Sequence, residues 1–233
     1  MNATFSIILL ALCLVLSSCD SENVIASRQE KINIDTTKFG SLYDDRDGQY
    51  YKTVIIENRT WMAQNLNFRR NSDSDSGWCY NDSSQYCGKY GRLYTWAEAM
   101  DSADKYNRDS IVGTSAARKG ICPLNWHVPT IPEWFTLVQV AQPDSIGIIL
   151  RSISSWNNNG NGIDKLNFGI MPGGRRMNDG AYTSLGTIAY FWTSDQYAKY
   201  GGEAFSLDYK NKGVIQVGEM KYMGFSLRCI KDQ

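Results

Sequence analysis

The chain offers few residues that could act as a general base or as a metal-binding imidazole. His127 is the only histidine among 233 residues, so a Ser-His-Asp triad would have to use it. It lies between Trp126 and Val128, and a buried, hydrogen-bonded structural histidine is the favoured interpretation. Asp and Glu are plentiful, but the sequence does not show a carboxylate pair at the separation that a hydrolase needs. No catalytic residue is therefore predicted.

The first 18 residues have the pattern of an export signal. Residues 5–16 form an apolar run that is too short to span a bilayer as a mature helix. The run ends in the tetrapeptide LSSC at 16–19, which resembles a bacterial lipobox. Cys19 is therefore predicted to be the lipidated first residue of the mature chain, anchored by acyl chains such as palmitate rather than by a transmembrane helix. A plain secretory signal is the alternative.

The rest of the chain divides into a predicted tether and one predicted domain. Residues 19–49 are polar, mixed in charge and poor in core-forming side chains, which is typical of a tether. Residues 50–233 are long enough to bury a sizeable core. Lys+Arg and Asp+Glu are 24 each, a balance that does not point to nucleic acid as a partner. We expect a protein of the bacterial cell envelope, at the outer membrane or the cell surface.

Four cysteines remain beyond the lipidation site, and an even number in an exported protein predicts disulfides. Three pairings are possible. We favour Cys79–Cys87, which closes a small local loop, and Cys122–Cys229, which closes a loop of about a hundred residues and contributes roughly 4–5 kcal/mol in the chain-entropy model. The spacing of these cysteines does not resemble that of zinc ligands.

Local patterns predict short helices in the first half of the domain and strands in the second. Thr130 and Glu133 have the spacing of a capping box, and an amphipathic helical pattern follows them. Thr95 and Glu98 repeat that spacing. The other predicted elements are a helix over 146–153, hairpins over 53–62 and 205–217, and strands over 189–193 and 224–230.

Several segments together resemble one known family. CPLNWHVPTIPEW at 122–134 is similar to the C-P-x-G-W-H-V-P-x-x-x-E-W signature of the Fibrobacter succinogenes major paralogous domain. The resemblance covers about residues 50–232. The other matching segments, in chain order, are RTWMAQNLNF (59–68), WCYNDSSQYCGKYGRLYTWAEAMDS (78–102), NGIDKLNFGIMPGGRR (161–176), YFWTSD (190–195) and YMGFSLRCIKD (222–232).

The resemblance implies an α+β fold similar to the C-type lectins, in the branch shared with formylglycine-generating (sulfatase-modifying) enzymes. In such a fold, short helices pack on a small twisted antiparallel sheet. A long irregular loop region, here about 156–204, carries the ligand. We therefore expect a non-catalytic binding or adhesion protein for a polysaccharide or another envelope component, because aromatic rings stack on sugars while polar side chains direct hydrogen bonds.

The expected ligand-binding residues all lie in this loop region. No cofactor is predicted, although calcium held by Asp164, Asp179 or Asp195 stays open. Two alternatives also stay open: an enzyme on the formylglycine-generating scaffold, which would need reactive cysteines, and a structural envelope protein without a small ligand. The main candidates are Trp156, Asn161, Asp164, Arg175, Tyr190, Trp192 and Asp195, with Asn158, Arg176, Tyr197 and Tyr200 as further candidates.

Overall fold

A computed structural model describes residues 39–70, 77–111, 117–140 and 145–233. Within these ranges the strands form two five-stranded sheets, accompanied by short helices. This mixture confirms the α+β class. The strands are β1 Phe39–Asp44, β2 Gln49–Ile56, β3 Arg59–Met62, β4 Trp126–His127, β5 Gly173–Arg176, β6 Tyr182–Leu185, β7 Ile188–Gln196, β8 Gly201–Asp208, β9 Ile215–Met220 and β10 Ile230–Lys231. The α-helices are α1 Ser84–Tyr90, α2 Trp96–Ala99, α3 Ile131–Gln139 and α4 Ile146–Leu150, with 3₁₀ turns at Tyr80–Asp82 and Asp104–Asn107.

The first sheet has the strand order β1-β2-β3-β10-β4. It contains the predicted hairpin of β2 and β3, in which Val54 pairs with Trp61. The sheet also begins earlier in the chain than expected, because β1 lies inside residues 19–49, the segment predicted to be a tether. Backbone pairing explains the difference: every residue of β1 opposes a residue of β2, from Phe39 with Val54 to Asp44 with Gln49, although most β1 side chains are exposed.

The second sheet has the order β6-β5-β7-β8-β9. It occupies much of 156–204, so the expectation of one small antiparallel sheet with a long irregular loop there is wrong. Residues 189–193 are buried on both faces, as in a central strand, and β7 pairs with β5 in parallel and with β8 antiparallel. The predicted hairpin that ends in β9 is confirmed.

Helix α3 packs where the two sheets meet. Its predicted capping box is confirmed, since Thr130 accepts from the backbone N–H of Glu133 and the Glu133 side chain accepts from that of Thr130. The buried Trp134 ring lies 5.4 Å from Trp61 of the first sheet and 5.3 Å from Phe205 of the second. One amphipathic helix therefore supplies a side chain to the core of both sheets.

The remaining predictions on local structure are confirmed in part. Thr95 caps α2 by accepting from the Glu98 N–H at 3.2 Å. Helix α4 ends at Leu150, before the predicted 153, because the Arg151 backbone is already extended. The segment 224–230 is not one regular strand. It makes single bridges to Arg176, Tyr94 and Phe191 before β10 begins.

Both predicted disulfides are confirmed. Cys79 bonds Cys87 across a sequence separation of 8, and Cys122 bonds Cys229 across a separation of 107. The longer link ties the loop before α3 to the residue before β10. In the described part of the chain, every helix is too short or too polar to cross a bilayer.

Candidate functional site

The three aromatic residues among the main predicted ligand contacts are core residues instead. Trp156, Tyr190 and Trp192 are 5%, 7% and 0% exposed, so their faces are closed to a sugar in this structure. The Trp192 Nε1–H donates to the Tyr94 carbonyl at 2.8 Å, and the ring stacks on Phe225 at a centroid distance of 4.3 Å. The prediction of a Trp192 binding platform is therefore corrected: the ring fills the space beneath β7.

The predicted carboxylates hold backbone groups. Asp195 accepts from the Ile131 N–H at 2.8 Å, where a negative charge also suits the first turn of α3. Asp164 accepts from the Gly169 N–H at 2.7 Å. Burial raises the pKa of both carboxyls above the usual value for aspartate. Asp195 thus holds the start of α3 and Asp164 holds a loop, and Asp179 likewise accepts from the backbone of Ala181 at 3.0 Å.

The remaining predicted polar residues do not converge on one site. Asn161 accepts from the Trp156 N–H at 3.1 Å, and Asn158 is exposed in a turn with a positive φ of 53°. The Arg175 guanidinium pairs with Glu219 at 3.1 Å, while the Arg176 guanidinium lies 4.1 Å over the Trp78 ring. The contacts of Asn161, Arg175 and Arg176 are thus made within the protein itself.

An exposed aromatic groove lies instead where four separate segments of the chain meet. It encloses about 530 Å³. Tyr200, a predicted candidate, lines it and is 54% exposed, while Tyr197 is exposed nearby in the sequence. The other lining residues were not predicted, because no local sequence pattern indicates that these positions meet. We call this surface the tyrosine groove, formed by Arg108, Asn178, Tyr200, Met220 and Tyr222.

Lys221 joins the segments that line the tyrosine groove. Its backbone N–H donates to the Tyr200 carbonyl at 3.0 Å. Its buried ammonium donates to the carbonyls of Asp109 at 3.0 Å and Lys199 at 3.3 Å, and to Gln196 Oε1 at 2.6 Å. Burial lowers the pKa of Lys221 to about 8, against the attraction of the Asp109 charge. The lysine thereby holds the loops at 108–109 and 199–200 beside residues 220–222.

A polar cluster separate from the tyrosine groove surrounds His127. Its Nδ1 lies 2.5 Å from Asp232 Oδ1, and its Nε2 lies 3.0 Å from Glu133 Oε1. Glu133 also bonds Arg59 and the backbone of Thr130. Both carboxylates are thus engaged by protein groups, and the histidine is buried and hydrogen-bonded. The expectation of a structural His127 agrees with this geometry.

Charge within the His127 cluster couples folding to pH. Burial opposes a charged ring, but the hydrogen bonds to Glu133 and Asp232 outweigh it and raise the pKa of His127 above 6.5. Burial also opposes ionised Glu133, but the bonds from His127 and Thr130 lower the pKa of Glu133 from 4.5 to about 2. The contribution of His127 to folding stability is complete below pH 6.5, its pKa in the unfolded chain. The contribution of Glu133 is complete above pH 4.5, its pKa in the unfolded chain.

The cluster is therefore expected to stabilise the fold most between about pH 4.5 and pH 6.5. Its contribution should fall on the acid side as the pH approaches about 2, and on the alkaline side as His127 loses its proton. Urea unfolding over a pH series measures this. Glu133→Gln keeps the cap geometry and removes the charge. The difference between its free energy of unfolding and that of wild type should therefore be largest between about pH 4.5 and pH 6.5. A pH-independent difference would contradict the coupling.

In the described ranges no group of three or more His, Cys, Asp or Glu side chains is arranged to hold a metal ion. The three carboxylates considered for calcium, Asp164, Asp179 and Asp195, each accept from a different backbone N–H, those of Gly169, Ala181 and Ile131.

Comparison with known proteins identifies a family and nothing finer. The chain matches no curated protein and no solved structure. A family model described as the Fibrobacter succinogenes major domain matches residues 54–231, which include the helix α3 signature, both disulfides and both sheets apart from β1 and the start of β2. The chain therefore belongs to the Fibrobacter succinogenes major domain family.

Proposed function

We propose that this protein binds a glycan, without catalysis, at the tyrosine groove. The observation that carries the proposal is the combination of Tyr200 and Tyr222 with Asn178 and Arg108 in an open depression of about 530 Å³. That volume lies in the range of small-ligand sites. Tyrosine faces stack on the apolar faces of sugar rings, and amide and guanidinium groups donate directional hydrogen bonds to hydroxyls.

The character of the groove favours binding over catalysis. A glycosidase needs two carboxyl groups facing each other across its substrate. The described lining of the tyrosine groove contains no carboxylate. The carboxylates of the His127 cluster each bond a protein cation or backbone group. An open, aromatic, carboxylate-poor groove supports a binder.

The cellular setting is part of the proposal. Residues 1–18 would be removed as a signal peptide, and acyl chains on Cys19 would anchor the protein in the cell envelope, at the outer membrane or the cell surface. A tether after Cys19 would then leave the sheets free to meet a polysaccharide. We also propose that the two sheets and short helices are a variant of the C-type-lectin-like fold.

Tyr200→Ala and Tyr222→Ala are each expected to weaken glycan binding about tenfold or more. Truncating an aromatic anchor commonly removes at least about 1–2 kcal/mol of binding free energy, and about 1.4 kcal/mol is a factor of ten. The measurement is a depletion assay of the full chain, purified in detergent, on insoluble cellulose, xylan and chitin, with and without EDTA.

Tyr43→Ala is the matched control, because Tyr43 is 53% exposed but lies in β1 of the other sheet. It should bind as wild type does, with all variants unfolding at similar temperatures. Sensitivity to EDTA would indicate calcium. Failure to bind any polysaccharide, acidic polymers included, would overturn the glycan proposal and direct the search to protein partners.

A further inference from the structure

The tyrosine groove carries a positive charge that no carboxylate neutralises within the described ranges. Arg108 lines the groove with its side chain exposed, and no carboxylate of the described residues pairs with it. Arginine guanidinium is weakly hydrated and presents a planar fork of donors that matches a carboxylate. Because Arg108 lines the same groove as Tyr200 and Tyr222, the groove is suited to an anionic group carried on a ring.

A second positive charge lies behind the groove lining. The Lys221 ammonium is buried, and its hydrogen-bond partners among the described residues are neutral oxygens, those of the Asp109 and Lys199 carbonyls and the Gln196 amide. Trp96 lies beneath the same ammonium, 4.3 Å from Nζ to the ring centroid. Desolvated charge of this kind is screened weakly and extends its field into the adjoining surface.

The nearest carboxylates in the sequence are already engaged. Asp109 lies 4.0 Å from the Lys199 ammonium and accepts from the Ser110 N–H at 2.8 Å. Asp179, next to Asn178 of the groove, accepts from the Ala181 N–H at 3.0 Å. Neither forms an ion pair with Arg108, and Glu219, next to Met220, pairs with Arg175 at 3.1 Å. Among the described residues the groove therefore retains an excess of positive charge.

We propose that the ligand of the tyrosine groove is an acidic polysaccharide, whose uronate carboxylate pairs with Arg108 while its sugar rings stack on Tyr200 and Tyr222. The inference rests on the proposed glycan binding and specifies its ligand class. A uronate residue keeps an apolar ring face and adds a carboxylate, and so uses both features of the groove. A neutral polymer uses only the tyrosines and leaves Arg108 without a counter-charge.

The test compares one polymer in a charged and a neutral form. Binding of the full chain to polygalacturonate and to its fully methyl-esterified form is measured at low and moderate salt. Wild type should prefer the acid form by about tenfold at low salt, since a hydrogen-bonded ionic contact is commonly of that size. The preference should shrink as salt rises.

Arg108→Gln should remove this preference and leave binding of the ester unchanged. Arg108→Lys should restore part of it, because the point charge remains and the planar fork is lost. Lys52→Gln is the charge-matched control: Lys52 is an exposed cation of β2 in the other sheet, and its loss should change neither affinity. Tyr200→Ala should weaken both forms alike.

Each other outcome has a definite meaning. Equal binding of acid and ester, unaffected by Arg108→Gln, would overturn the acidic ligand and leave glycan binding intact. An equal loss in Lys52→Gln and Arg108→Gln would show non-specific attraction and overturn the assigned contact. Binding of neutral polymers alone would also refute the acidic class. Absence of binding to every polymer would reject the proposed function itself.

Discussion

Replacing both cysteines of the long disulfide, as Cys122→Ala with Cys229→Ala, is expected to lower the free energy of unfolding by about 4–5 kcal/mol. The bond closes a loop with a sequence separation of 107, and in the chain-entropy model the stabilisation grows with the logarithm of loop length. Alanine is chosen because both positions are completely buried, where a serine hydroxyl would need a new partner. Equilibrium unfolding in urea measures the change.

The short disulfide is the matched control. Cys79 and Cys87 are separated by only 8 positions, so the same double alanine replacement should cost only about 2–3 kcal/mol. Both variants should keep a cooperative transition. Equal losses from the two replacements would rule out loop length as the main source of the stabilisation.

Trp192→Ala is expected to lower the free energy of unfolding by about 3–5 kcal/mol, the range for deleting a buried aromatic side chain. Trp192 has no exposed surface. Its truncation leaves a cavity against Phe225 and removes the hydrogen bond to the Tyr94 carbonyl. The glycine at 202 contributes to this packing, since a Cβ there would approach the Trp192 ring to 3.2 Å. Thermal and urea unfolding measure the loss.

Tyr200→Ala is the comparison for Trp192→Ala, because it removes an exposed aromatic ring. Its free energy of unfolding should stay within about 0.5 kcal/mol of wild type. The two variants thus separate an aromatic residue that builds the core from one that faces a ligand. If Trp192→Ala folded with wild-type stability and lost only glycan binding, the original prediction of Trp192 as a contact residue would be reinstated.

Local chemistry explains which parts of the fold the sequence could predict. The capping box needs only Thr130 and Glu133, three residues apart, so its spacing is visible in the chain itself. The β2–β3 hairpin is similarly local. The disulfide pairing could be inferred because four cysteines allow few choices. In each case the residues that form the structure are close together in the sequence, or only a few pairings are possible.

The misassigned aromatics and the groove depend on contacts between distant segments. A tryptophan suits a core as well as a binding surface, and Trp192 is buried because residues 225 and 94 cover it. The groove draws Arg108, Asn178 and Tyr222 from three separate parts of the chain. The hydrophobic periodicity within one segment does not indicate which distant segments it will contact. For β1, pairing with β2 outweighs a composition typical of a tether.

The position of β10 has a consequence for how the protein is made. In the first sheet, Ile230 lies between Trp61 of β3 and His127 of β4. A chain that leaves the ribosome with its N-terminus first cannot join β3 to β4 through β10 until residue 230 arrives. Sequence-distant pairing of this kind folds slowly, because the entropy of closing a long loop must be overcome first. The topology thus delays completion of the first sheet until residue 230 has been synthesised.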